Sequence, residues 1–141
     1  MTLDATKVIN GSFGKMFHDG EWLTNVTQAE ATVEISKEEI MRAGTRWVGH
    51  KVVSLTGSGS MTGYKITHDL AKKIAQVADD TKTPFVTELI MKLDDPENHE
   101  GKTYIRLKGV QFDAIPLLQY EVGEIVQEET PFTFSGFEYL D

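Results

Sequence analysis

The sequence contains no cysteine, so no disulfide can close a loop and no thiolate can hold zinc or an iron–sulfur cluster. A reducing place of synthesis suits such a chain. Basic residues are scarce beside acidic ones, 14 Lys and Arg against 22 Asp and Glu, giving a formal net charge of −8. Affinity for nucleic acid comes from Lys and Arg that displace phosphate counterions, so tight DNA binding is not expected. No apolar run approaches the roughly 20 residues a helix needs to cross a bilayer. Residues 1–11 carry Asp4 and Lys7 without an apolar stretch, so neither a signal peptide nor a membrane anchor is expected. The matches Asn10-Gly11-Ser12 and Asn25-Val26-Thr27 to the glycosylation pattern are accordingly chance. A length of 141 residues suits one domain, 1–141, able to bury its own core.

Sites of chemistry are equally thin. His18, His50, His68 and His99 show no His-x3-His or His-Glu-x-x-His spacing, so no metal site is expected. Asp94, Asp95, Glu97 and Glu100 lack the order of a calcium loop, and Pro96 interrupts them; they read as a solvated hairpin tip. Gly57-Ser58-Gly59-Ser60 half-resembles a nucleophile elbow or a dinucleotide loop. The third glycine, Gly63, falls one position late, the helix opens only near Thr67, and Lys65 does not follow the spacing of a phosphate-binding loop. No catalytic residue and no cofactor is therefore expected.

What is present is strand patterning. Residues 14–17, an Asp19-Gly20 turn and residues 21–23 read as a hairpin. From Thr27 onward Ala29, Ala31, Val33 and Ile35 alternate with Gln28, Glu30, Thr32 and Glu34, the period-two signature of a strand with one buried face. Over residues 36–53 the pattern blurs. Ile40, Met41 and Trp47 beside Arg42 and Arg46 have the composition of an interface hot spot, and the alternative is a short amphipathic helix with Ser36 as cap and Glu39 in capping-box spacing. Next comes a ribbon of small hydroxyls, Ser54, Thr56, Ser58, Ser60 and Thr62, alternating with Leu55, Gly57, Gly59, Met61 and Gly63. A flexible glycine-serine loop would share this composition, but Met61, Tyr64 and Ile66 favour a strand.

One helix is expected, capped by Thr67 with Leu70, Ala71, Ile74, Val77 and Ala78 on an apolar face and its end near Asp79-Asp80. A second hairpin pairs residues 85–93 with 103–110, and 112–118, 122–126 and 131–137 read as further short strands bearing the aromatics Phe132, Phe134 and Phe137.

Several short motifs occur in a familiar order: Asn10-Gly11-Ser12-Phe13-Gly14-Lys15, Phe17-His18-Asp19-Gly20-Glu21, Gly49-His50-Lys51, Gly57-Ser58-Gly59-Ser60 leading to Tyr64-Lys65-Ile66-Thr67, Val110-Gln111-Phe112-Asp113, and Glu129-Thr130-Pro131-Phe132-Thr133-Phe134. In these, over nearly its whole length, the chain resembles the tail tube proteins of PBSX-like contractile phage tails. The resemblance implies a mainly β fold with one helix, a two-sheet antiparallel β-sandwich or small barrel whose long hairpin joins an intersubunit β-barrel in a hexameric ring. It implies rings stacked into the inner tube of a contractile tail, with sheath, baseplate and tail terminator proteins as partners. DNA would pass through the lumen without specific binding, or the tube would pierce a target as part of a headless particle assembled in the bacterial cytoplasm. It carries over no catalytic residue. The hydroxyls are expected to line the bore, and Ile40, Met41, Arg42, Arg46, Trp47, Gly57 and Gly59 to meet other copies. A related secretion-system tube is the nearest alternative; a small-molecule β-barrel or an enzyme would need convergent polar groups in a pocket.

Overall fold

A computed structural model describes residues 3–64 and 69–140. Antiparallel strands dominate it: β1 (Gly14–His18), β2 (Glu21–Trp22), β3 (Val26–Ile40), β4 (Gly49–Tyr64), β5 (Val86–Leu93), β6 (Thr103–Phe112), β7 (Gln127–Phe134) and β8 (Gly136–Tyr139). The short helix α1 (Asp69–Ile74) runs on as a 3-10 turn, Ala75–Ala78, and stops at Asp79. That is the expected helix, although its expected cap, Thr67, lies outside the described residues.

The strands form one hydrogen-bonded path, β2-β1-β5-β6-β7-β4-β3, with β8 also paired to β6. Both β8 and β7 use β6: residues 105–108 face β8, while Gln111 and Phe112 face β7. Gly109, at φ +64, separates the two pairings. At this junction the sheet turns over on itself. Met16, Leu89, Leu107 and Val110 of one half then pack against Met61, Phe132 and Phe134 of the other. Phe132, Leu89, Leu107 and Val110 are the largest side chains fully removed from water. Among the described residues no pairing joins β3 back to β1 or β2, so the barrel is open and β3 ends the sheet.

Local chemistry accounts for the turns. Asp19 and Gly20 take φ values of +52 and +79, the left-handed pair a tight hairpin requires, and so β1 and β2 meet across two residues. The tip between β5 and β6 is not merely solvated. Asp95 is buried and accepts the Asn10 N–H at 2.9 Å, and Asn98 Nδ2 donates to the Lys7 carbonyl at 2.8 Å, which ties the N-terminal segment to this loop.

Three expectations change. Residues 36–53 contain no helix; β3 reaches Ile40, β4 starts at Gly49, and only residues 41–48 connect them. A bulge explains the blurred pattern, because Ser36 faces Ser54 while Lys37 faces Val52, leaving Val53 without an opposite number and shifting the phase of the alternation. Residues 113–126 hold no strand: Pro116 lacks the N–H a ladder needs, and Gly123 takes φ +89. The single strand expected over 131–137 is two, broken at Ser135, whose N–H bonds the Lys108 carbonyl at 3.0 Å.

Candidate assembly surface

The β3–β4 hairpin presents two chemically opposite faces, and register decides which residues share each. Opposed residues in an antiparallel pair point the same way. Ala29, Ala31 and Val33 stand opposite Met61, Gly59 and Gly57, and this face covers the core. Gln28, Glu30, Thr32, Glu34 and Ser36 stand opposite Thr62, Ser60, Ser58, Thr56 and Ser54, and this face turns outward. All the hydroxyls of the ribbon thus lie on one surface. Ser54, Thr56 and Ser58 are exposed, while Ser60 and Thr62 are half-buried. Glu30 and Glu34 join them, so the surface is acidic as well as hydroxylic. No Lys or Arg occurs in residues 27–36 or 52–64 to offset it. The alternation of β3 already put these carboxylates on its polar face; what the sequence did not provide was the register that sets them beside the serines.

Gly57 and Gly59, expected at contacts between copies, are occupied from within the chain. A Cβ on Gly57 would lie 2.5 Å from the Phe134 ring, and one on Gly59 would lie 2.7 Å from the Phe132 ring and against the Glu30 carbonyl. The bare backbone is what allows the two phenylalanines to seat under β4. Phe132 and Phe134 continue into an aromatic row through Phe112 and Phe85 to the buried His18, whose Nε2 lies 3.0 Å from Thr87 Oγ1.

From Ile35 and Leu55 outward, through the bulge to the tip, the hairpin is left uncovered by the described residues. The opposed pair Ile35 and Leu55 is exposed, as are Val52, Val53 and Ile40. At the tip Met41 and Trp47 are 82 % and 79 % exposed. Arg42 spans this loop, its Nη2 donating to the Trp47 carbonyl at 3.4 Å, while Gly44 at φ +83 makes the turn. Ile40, Met41, Arg42, Arg46 and Trp47 are therefore gathered at one exposed end. Ile35, Leu55, Val52 and Val53 extend that apolar surface down the arm, and sequence reading missed them as contact candidates because alternation alone would have buried Ile35 and Leu55.

A family model described as phage tail tube protein matches residues 1–141. The chain belongs to the phage tail tube protein family. It is also 34 % identical over 139 residues to the phage-like element PBSX protein XkdM of Bacillus subtilis (strain 168), a match covering 98 % of this chain and 94 % of that relative. Among solved structures, a chain of the anti-feeding prophage cap that terminates the AFP tube superposes with a TM-score of 0.69 at 10 % identity, covering 99 % of this chain and 95 % of that one. A chain of the PVC sheath-tube complex, an extracellular contractile injection system in its extended state, gives 0.69 at 7 % identity and 98 % coverage of both. These likenesses show that the tail tube protein shares its fold with parts of contractile assemblies. Among the described residues no group of His, Asp and Glu is placed to hold a metal ion, and none of the described helices is long and apolar enough to cross a membrane.

Proposed function

We propose that this tail tube protein acts as one domain that polymerises into hexameric rings, stacked as the inner tube of a contractile tail, with the hydroxyl and carboxylate face of the β3–β4 hairpin lining the bore. The observation that carries this reading is an edge on β3, unpaired among the described residues, beside an arm whose apolar residues none of them covers. An edge strand of this length invites pairing with another chain, and closure into a barrel removes every edge. The outward surface with Glu30, Glu34 and the serines repels phosphate and offers no cation to hold it, which suits DNA in transit. Ile40, Met41, Arg42, Arg46 and Trp47 supply the contact between copies, while Gly57 and Gly59 serve it indirectly by letting β4 lie flat on its phenylalanines. Sheath, baseplate and terminator proteins are the partners of the finished tube, which needs no resident cofactor and performs no catalysis.

The test replaces residues 40–49 by a short glycine-serine link. The shortened protein should keep its fold by circular dichroism and lose rings and tubes in negative-stain micrographs. Normal tubes from the shortened protein would remove the hairpin from the interface.

A further inference from the structure

Two features away from the hairpin tip are left open, and they match. One is a cavity of about 690 Å³ between the two halves of the sheet. Ala29, Ala31 and Val33 wall it on the β3 side, Met91, Ile105 and Leu107 on the other. It is a mainly apolar cleft, open on one side, that the described side chains leave unfilled. Its cause is local: alanines stand where larger side chains would fill it.

The other feature is the irregular stretch 113–126. Leu118, Tyr120, Val122 and Ile125 keep 70 %, 73 %, 92 % and 75 % of their surface in water. Glu124 N–H bonds the Glu121 carbonyl at 3.1 Å, with Gly123 at φ +89 as the third residue of the turn, which pushes Val122 to the tip. Irregular loops of this length inside a compact fold generally have a function.

Along β6 the two lie toward opposite ends, while on the β3 side the cavity reaches back to Val26, whose partner Gly63 pairs with Glu128. The cavity runs from Leu107 and Phe134 to Leu93, Thr103 and Tyr139, where β6 begins, and residues 113–126 follow Phe112, where it ends. A strand of this length spans roughly 33 Å. Asp113 N–H is held by the Pro131 carbonyl at 2.9 Å, and Gln127 by its pairing with Tyr64. Val122, five residues from Gln127, can reach no more than about 17 Å from it. The end of the cavity at Leu93, Thr103 and Tyr139 lies beyond that reach along the sheet and is open to a second copy. Charge agrees. Glu121 and Glu124 flank the tip, and Lys15 and Lys92 are among the residues at the cavity's far end, with Lys102 next in the chain to Thr103, none of the three ion-paired with a described residue. Their Nζ atoms lie 4.7, 4.6 and 5.8 Å from the rings of Trp22, Phe17 and Tyr104.

We infer that residues 118–125 of one subunit insert into the inter-sheet cavity of a second copy and form the contact between successive subunits along the tube. A donor at one end and an acceptor at the other make a head-to-tail contact that repeats rather than closing on itself as a two-fold dimer. This inference rests on the proposed tube and adds its second contact.

Because the chain has no cysteine, an introduced pair reports on one contact alone. Val122→Cys with Ala31→Cys, oxidised after assembly, should give a ladder of covalent oligomers on a non-reducing gel, and neither single variant should. A fast-running monomer with an internal disulfide would mean that the loop fills its own cavity, and covalent dimers from Val122→Cys alone would mean a loop-to-loop contact; either overturns the inference. Leu118→Asp with Val122→Asp should leave rings and abolish stacked tubes. Normal tubes, or loss of rings together with tubes while circular dichroism is unchanged, would contradict it. A wild-type protein that forms neither rings nor tubes would instead count against the tube itself.

Discussion

The β5–β6 hairpin and the β3–β4 hairpin are built from similar residues and end in opposite conditions. In the first, Leu89, Leu107 and Val110 are at most 2 % exposed, and Arg106 pairs with Glu88 across the strands at 2.5 Å. In the second, Ile35 and Leu55 face each other at 53 % and 63 % exposure, and Trp47 stands almost free at the tip. Strand propensity and alternation do not separate the two. Partners do: β5 and β6 lie mid-sheet, with the other half of the sheet above them, whereas β3 is an edge and its distal part overhangs the core. One hairpin is covered on its inner face by its own chain, and the other is left exposed among the described residues.

The sharpest way to break this comparison is to truncate one residue in each hairpin. Leu107→Ala should cost about 2–5 kcal/mol in denaturant unfolding, as removal of a buried leucine does. Ile35→Ala should stay within roughly ±0.5 kcal/mol in the monomer, as exposed substitutions do, yet lower the yield of tubes. Equal stability losses would mean that the arm is packed within its own subunit.

A smaller effect sharpens the comparison within β4 itself, where neighbouring positions face opposite ways. Gly59→Ala drives a methyl group into the Phe132 ring, with an expected loss of about 1–3 kcal/mol, the usual cost of overpacking. Ser58→Lys meets water on the other face, the half-buried Ser60→Lys can reach it, and both should leave stability and tube assembly nearly unchanged. Glycine variants that fail should therefore fail in the monomer's unfolding curve, before any assembly.

The smallest effect is a pH dependence in the completed half. Burial holds the His18 imidazole below its ordinary pKa of 6.5, partly opposed by the nearby Asp19 carboxylate. The folded protein thus keeps His18 neutral in a range where the unfolded chain takes up a proton. Its contribution to stability is complete above about 6.5 and is lost as pH falls through the lower folded value. His18→Asn should flatten this part of the stability profile, and an unchanged slope would assign it elsewhere.

Much of the fold was legible in residues. The Asp19-Gly20 turn, the β5–β6 pair, the alternation of β3 and the one-sided hydroxyl ribbon each carry a local signal that tertiary structure did not override. The bulge at Ser36 and Lys37 carries none, since a phase shift reads as lost pattern. Residues 113–126 misled in the other direction: Ile115, Leu117, Val122 and Ile125 have strand-forming side chains, but among the described residues no strand pairs with them. The surface was half legible, in the way that Trp47 and Met41 were visible by composition while Glu30, Glu34, Ile35 and Leu55 needed the register.

The central claim is that the hydroxyl and carboxylate face becomes the inside of a tube, and site-specific labelling tests it most directly. Ser58→Cys and, on the opposite layer, Lys92→Cys would each be treated with a small maleimide and with a bulky polymer-linked one, before and after assembly. The account predicts that both positions react with both reagents in the monomer, and that in tubes Ser58→Cys stays open to the small reagent but is closed to the bulky one. Equal reaction of Ser58→Cys with the bulky reagent in monomer and tube would place that face outside the bore and contradict the account.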